Sequence, residues 1–268
     1  MTSRLAPAFV LLLFGCADGV IPPAAPTTPA APPAASSVAA ASAAPSVEKV
    51  HPQGSQKKRN HKEAYEKATE LAAANRLDEA IAQLKPFADA TRESTNDPLA
   101  YWIHNQLTWL YWGKGDVTSA LEETDLGAKA LNRSTLTTAD IESMRLHALW
   151  DRAYLLLENK DAFADRAFSD YESLATKKND HDGLNVLKAF FAARKKKPAE
   201  AMAAAKKVDV ERDTDLQDLY VIALAFDAGG DHKTAEAVRT KICGAPTYMM
   251  KPLIVAQMER EGFRCKAP

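Results

Sequence analysis

Six histidines, three cysteines and one dense run of carboxylates are the side chains here that could do chemistry. Zinc binding on a helix needs two histidines on one face, four residues apart, as in a His-Glu-x-x-His pattern. His51, His61, His104, His147, His181 and His232 offer no such pair. The run Asp209-Val210-Glu211-Arg212-Asp213-Thr214-Asp215 is rich in carboxylates but lacks the glycine and the terminal glutamate of a calcium loop. Acidic residues just before a helix favour its positive N-terminal end, which is the simpler account. Gly113-Lys114-Gly115 and Gly229-Gly230 lie between helical stripes and follow no strand, so they read as turns and not as phosphate cradles. No serine, histidine and aspartate set assembles by motif. The residues therefore point to a chain that is not an enzyme and that holds no metal and no cofactor.

The elements that must position any site follow from composition. The chain has 268 residues and a net charge of -1, which gives no electrostatic reason to expect nucleic acid. Between Glu48 and Pro268 only 14 residues are Val or Ile, which argues against a parallel sheet or a β-sandwich. Ala, Leu, Glu and Lys dominate instead, as suits an all-α fold. Residues 17–46 differ sharply: 12 are Ala, 7 are Pro and Asp18 alone is charged. Proline fixes φ and removes donors, and such a tract buries too little apolar area to offset ordering entropy, so a disordered tether is expected. The basic cluster Gln56-Lys57-Lys58-Arg59 closes it as a solvated boundary.

At the start, Arg4 precedes an apolar run from Leu5 to Phe14, too short for a helix to cross a hydrocarbon core of about 30 Å. A basic start, a short apolar stretch and small residues describe a secretory signal. Its end, Leu13-Phe14-Gly15-Cys16, resembles the lipobox of bacterial lipoproteins, with Phe14 larger than that position usually holds. The resemblance implies a signal peptide at 1–15, lipid on the Cys16 thiol and a membrane held through that lipid. Ala17 after the cysteine implies the outer membrane, facing the periplasm, in place of retention at the inner one. The expected organisation is signal 1–15, lipid-anchored Ala/Pro-rich linker 16–59 and helical domain 60–268.

Stripes at three- and four-residue spacing lay out the helical domain. Ala64, Ala68 and Leu71 mark one helix, and Leu77, Ala80, Ile81, Leu84 and Phe87 its partner, which Pro86 should bend or end. Asp97-Pro98 opens the next helix, and a partner follows Gly115-Asp116 from Val117 to Leu131. Thr137 or Thr138 caps a long helix through Leu155, and Phe163, Ala167, Tyr171 and Leu174 return. A fourth pair runs about Gly183–Phe191 and Pro198–Val208. The fifth carries Leu216, Leu219, Ala223 and Phe226, then Ala235 and Val238. A lone helix, about Lys251–Glu261, ends the chain.

Four of these pairs share a pattern: Ala68, Leu71, Ala80 and Leu84; Leu107, Tyr111 and Ala120; Ala189, Ala192 and Ala201; Ile222, Ala223, Phe226, Gly230 and Ala235. Ala201 and Ala235 are 34 residues apart, Ala80 and Ala120 are 40. The pattern resembles the tetratricopeptide repeat, in a degenerate form whose third unit fits poorly. The resemblance implies a helix–turn–helix solenoid with the last helix as its cap. It also implies a concave groove, lined at positions 18, 15, 11 and 8 before the key alanine. Counting back gives Trp102, Asn105, Trp109 and Trp112 from Ala120, Phe190 from Ala201 and Tyr220 from Ala235. Three Trp beside an amide suit an extended peptide; the alternative is that these rings belong to the core.

With Cys16 assigned to lipid, Cys243 and Cys265 remain, an even pair in an oxidising compartment. A disulfide is expected between them, the alternative being two buried thiols. The function this implies is non-catalytic: a lipid-anchored envelope protein binding a protein or peptide partner on a helical scaffold. The alternatives are a structural subunit of an envelope assembly and, more distantly, a cell-wall hydrolase.

Overall fold

The computed structural model describes residues 53–91, 99–132, 137–213 and 215–265. Within them lie eleven helices and no strand: α1 (Gln53–Ala73), α2 (Leu77–Thr91), α3 (Leu99–Lys114), α4 (Val117–Leu131), α5 (Thr138–Glu158), α6 (Ala164–Lys178), α7 (His181–Arg194), α8 (Pro198–Ala205), α9 (Leu216–Ala228), α10 (His232–Gly244) and α11 (Met250–Arg260). The fold is all-α. The signal, Cys16, the Ala/Pro tract and Asp97-Pro98 lie outside the described residues.

Consecutive helices pack as five hairpins, α1–α2, α3–α4, α5–α6, α7–α8 and α9–α10. One turn builds all five. Asn75, Gly115, Lys160, Lys196 and Gly230 each take a left-handed conformation, with φ between 55° and 84°. The next residue then donates its N–H to a carbonyl five back: Arg76 to Leu71, Asp116 to Tyr111, Asp161 to Leu156, Lys197 to Ala192 and Asp231 to Phe226, at 2.8–2.9 Å. This closes the orphan carbonyls of the first helix. Asp116 and Asp231 then accept the N–H of Ser119 and Thr234, both at 3.1 Å, and so cap the second helix.

A buried alanine follows each turn at the helix crossing: Ala80, Ala120, Ala167, Ala201 and Ala235. In four hairpins it stands five residues after the left-handed residue. In α5–α6 it stands seven after, because Ala162 and Phe163 extend the turn before α6 begins. That insertion explains why the third pair departs from the pattern of the others.

Two helices run further than their sequences suggest. α1 reaches back to Gln53, so the basic cluster 56–59 forms helical turns, as Gln, Lys and Arg propensities permit. α2 continues through Pro86 to Thr91. Pro86 lies on the exposed face together with Ala82, whose freed carbonyl can turn to water.

Candidate functional site

The inner residues of the hairpins converge on one aromatic core. Trp150 stacks on Tyr154 with ring centroids 5.3 Å apart, and Tyr154 stacks on Phe190 at 4.5 Å. Trp109 and Trp112 meet Tyr154 at 6.0 and 5.9 Å, and Trp112 reaches Tyr220 at 6.4 Å. The first helices of four hairpins, α3, α5, α7 and α9, therefore share this centre. Across it lies α11, which packs on α1, α3 and α9.

This corrects the open groove. Trp109, Trp112, Phe190 and Tyr220 do face the inner side, but all four are buried, none more than 4% exposed. The physical reason is that the first helices close on one another and the terminal helix fills the remaining space. Trp102 is half-buried, its ring 5.0 Å from that of Tyr101. Asn105 is half-buried and spends its amide on Asp151, donating at 2.7 Å, so that donor is not free for a peptide backbone. The six residues form no continuous exposed surface.

α11 is fitted in detail. Its Met250, Leu253, Ile254 and Met258 are buried. Leu253 lies so close to Gly113 that a Cβ there would stand 2.4 Å from Leu253 Cδ2, so this glycine admits the helix. Gln106 Nε2 donates to Met249 Sδ at 3.2 Å, and Arg260 Nη1 donates to the Gly113 carbonyl at 3.0 Å. Arg194 joins three elements: it donates to Glu158 of α5 at 2.8 Å and to Glu261, just past α11, at 3.1 Å, with its guanidinium 5.2 Å from the Phe190 ring. Burial pushes the Glu158 carboxyl up despite Arg194 beside it. Burial, with Glu158 next, raises the Tyr154 phenol far above its usual range.

Cys243 and Cys265 are bonded, with Cα atoms 5.6 Å apart, and the bridge spans α11. Arg239 stacks over Phe263 at 5.3 Å beside it.

A polar layer lies between α3, α4 and α5. His104 Nδ1 pairs with Glu123 at 2.6 Å, both side chains being buried, and Thr108 contacts Thr124 at 3.2 Å. The Tyr101 hydroxyl is buried there without a hydrogen-bond partner among the described residues. Burial first, and then Asp151, holds its phenol well above the usual range. The space among these groups admits no water molecule, so it offers no ligand pocket. Among the described residues, no three His, Cys, Asp or Glu side chains gather as a metal site, and no helix is long and apolar enough to cross a membrane.

Compared with known protein families, curated proteins and solved structures, the chain matches none.

Trp150, Tyr154 and the α11 contacts are the inner-face features the residue pattern did not single out. A signal for the first two exists. Ala167 stands 34 residues before Ala201, the spacing that separates Ala201 from Ala235. The two-residue turn insertion shifts the inner count from Ala167 onto Trp150 and Tyr154. No comparable signal marks Leu253 or Glu261 as partners of α3 and α7.

Proposed function

We propose that the chain is a non-catalytic, lipid-anchored protein of the bacterial envelope. It holds a protein or peptide partner on a degenerate tetratricopeptide-like helical array. The observation that carries the reading is the buried alanine that stands five to seven residues after a left-handed turn in all five hairpins, which the same turn between α6 and α7 at Asn179 lacks. A shared supersecondary unit of this kind is what a scaffold assembled by stacking uses. Leu13-Phe14-Gly15-Cys16 supports the lipid anchor, and the Cys243–Cys265 bridge suits an oxidising compartment. The reading places the folded domain at the end of an Ala/Pro-rich tether, facing the periplasm from the outer membrane.

The filled inner face moves the expected contact from the concave side to the outer faces of the second helices and to the Trp102 end of α3. It also favours the second reading, a structural subunit docked through its outer surface, over capture of an extended peptide.

Photo-crosslinking in intact cells tests this, with a photoreactive residue replacing in turn Glu122, Asp170 and Trp102. A discrete envelope protein joined at the α4 or α6 position is the expected product. Absence of any product at all three positions, with the protein present at its normal level, overturns the partner. In the same cells, radiolabelled fatty acid should enter the wild type and not Cys16→Ser; equal labelling overturns the anchor.

A further inference from the structure

We infer that the inner face is a helix-binding site whose resident ligand is the chain's own C-terminal helix, latched by the Cys243–Cys265 bridge. The inference rests on the helical-array reading for its view of that face as a groove.

Four observations carry it. First, the apolar residues of α11 that enter the groove, Met250, Leu253, Ile254 and Met258, stand at i, i+3, i+4 and i+8, the register of a helix laid in a groove. Second, the groove is shaped for it: Gly113 lacks the Cβ that would strike Leu253. Third, fixed polar groups read its ends. Gln106 meets Met249 at the start; the Gly113 carbonyl and Arg194 receive Arg260 and Glu261 at the finish. Fourth, the helix reaches residues far away in sequence, 147 positions separating Arg260 from Gly113, and among the described residues it is tied covalently by the connection from α10 and by the bridge.

The bridge closes a loop with a sequence separation of 22 and leaves both cysteines half-buried, within reach of a reductant. A dithiol reductant opens it by thiol–disulfide exchange. One thiolate attacks a bridge sulfur, the second resolves the mixed disulfide, and the dithiol leaves as a cyclic disulfide. Two electrons and two protons pass to Cys243 and Cys265. Reduction frees the far end of α11 and lowers its effective concentration at the groove. The open population should rise about 100-fold, the loop-closure entropy of a crosslink of this length. An external amphipathic helix with the same register and a terminal carboxylate then competes for the groove.

The test uses the full chain, oxidised and after dithiothreitol, with amide hydrogen exchange read by mass spectrometry. A fluorescein-labelled synthetic peptide of residues 247–263 is titrated by anisotropy, with its Ile254→Asp version as control. Expected on reduction are exchange in 250–260 faster by about 100-fold, unchanged protection in α3, α5, α7 and α9, and binding of the peptide but not of the control. The oxidised chain should bind neither. The double variant Cys243→Ser/Cys265→Ser should reproduce the reduced state without reductant. Unchanged exchange in 250–260, loss of protection in all helices together, or no peptide binding to the reduced chain each overturns the latch. A double variant that fails to fold counts with the second of these outcomes. Peptide binding in solution and crosslinking in cells can fail independently, so loss of one leaves the other standing.

Discussion

Trp109 meets Trp112 edge to face, 5.5 Å between centroids, and also packs on Tyr154 of the next hairpin. Removing it leaves a cavity that the stacked Tyr154 and Phe190 cannot collapse to fill. Trp109→Ala should therefore cost about 3–5 kcal/mol of stability, read as a lowered urea midpoint. Thermal stability close to wild type would show that the ring is not core. Which way this residue points was legible from sequence, because helical spacing fixes a face. Whether that face is wet was not, since exposure depends on how the first helices close on one another and on α11, whose contacts on α3 span 143 and 147 residues. Trp102, two turns earlier on the same helix, stays half-buried against Tyr101 and its neighbours Leu131 and Ala148.

Each hairpin depends on its turn, and the turns differ in what they ask of pH. Asp116 and Asp231 accept backbone and side-chain hydrogen bonds from Ser119 and Thr234, which hold both carboxyls below the usual aspartate range. Folded values lower than unfolded ones mean that their contribution is complete above about pH 4 and is lost as pH falls through the lowered folded values. The part of the helicity that these caps hold at moderate urea should accordingly fall below about pH 4. Asp116→Asn/Asp231→Asn should flatten that acid limb; an unchanged limb would remove these caps as its source. Element positions were legible because local signals set them: Asp116 before α4, Pro198 opening α8, stripes at helical spacing. Elements misjudged at their limits, such as α2 past Pro86, depended on which face met solvent. The third hairpin escaped the repeat pattern because two inserted residues, Ala162 and Phe163, shift every later position.

At the scale of the molecule, α11 joins the first hairpins to the last. Gln106 and Met249 touch across 143 residues, and Trp112 meets Tyr220. In an open stack each unit contacts only its neighbours and can melt separately. Here all four Trp lie in α3 and α5, so their fluorescence reports the early hairpins while far-UV circular dichroism reports every helix. The two urea transitions should coincide in the wild type and separate in Leu253→Asp, where the early hairpins lose their cover; separate transitions in the wild type would count against the closure. The same closure sets an order of events during synthesis. A linear stack can consolidate its first units while later ones are still being made. This chain cannot complete the floor of its aromatic core until residues 250–260 have emerged, because part of that floor is the last helix. Until then Gly113 faces an empty slot, and the early hairpins carry an apolar surface that Met250, Leu253, Ile254 and Met258 will cover. The interval between making the groove and making its occupant is when the protein is most exposed to sticking to something else.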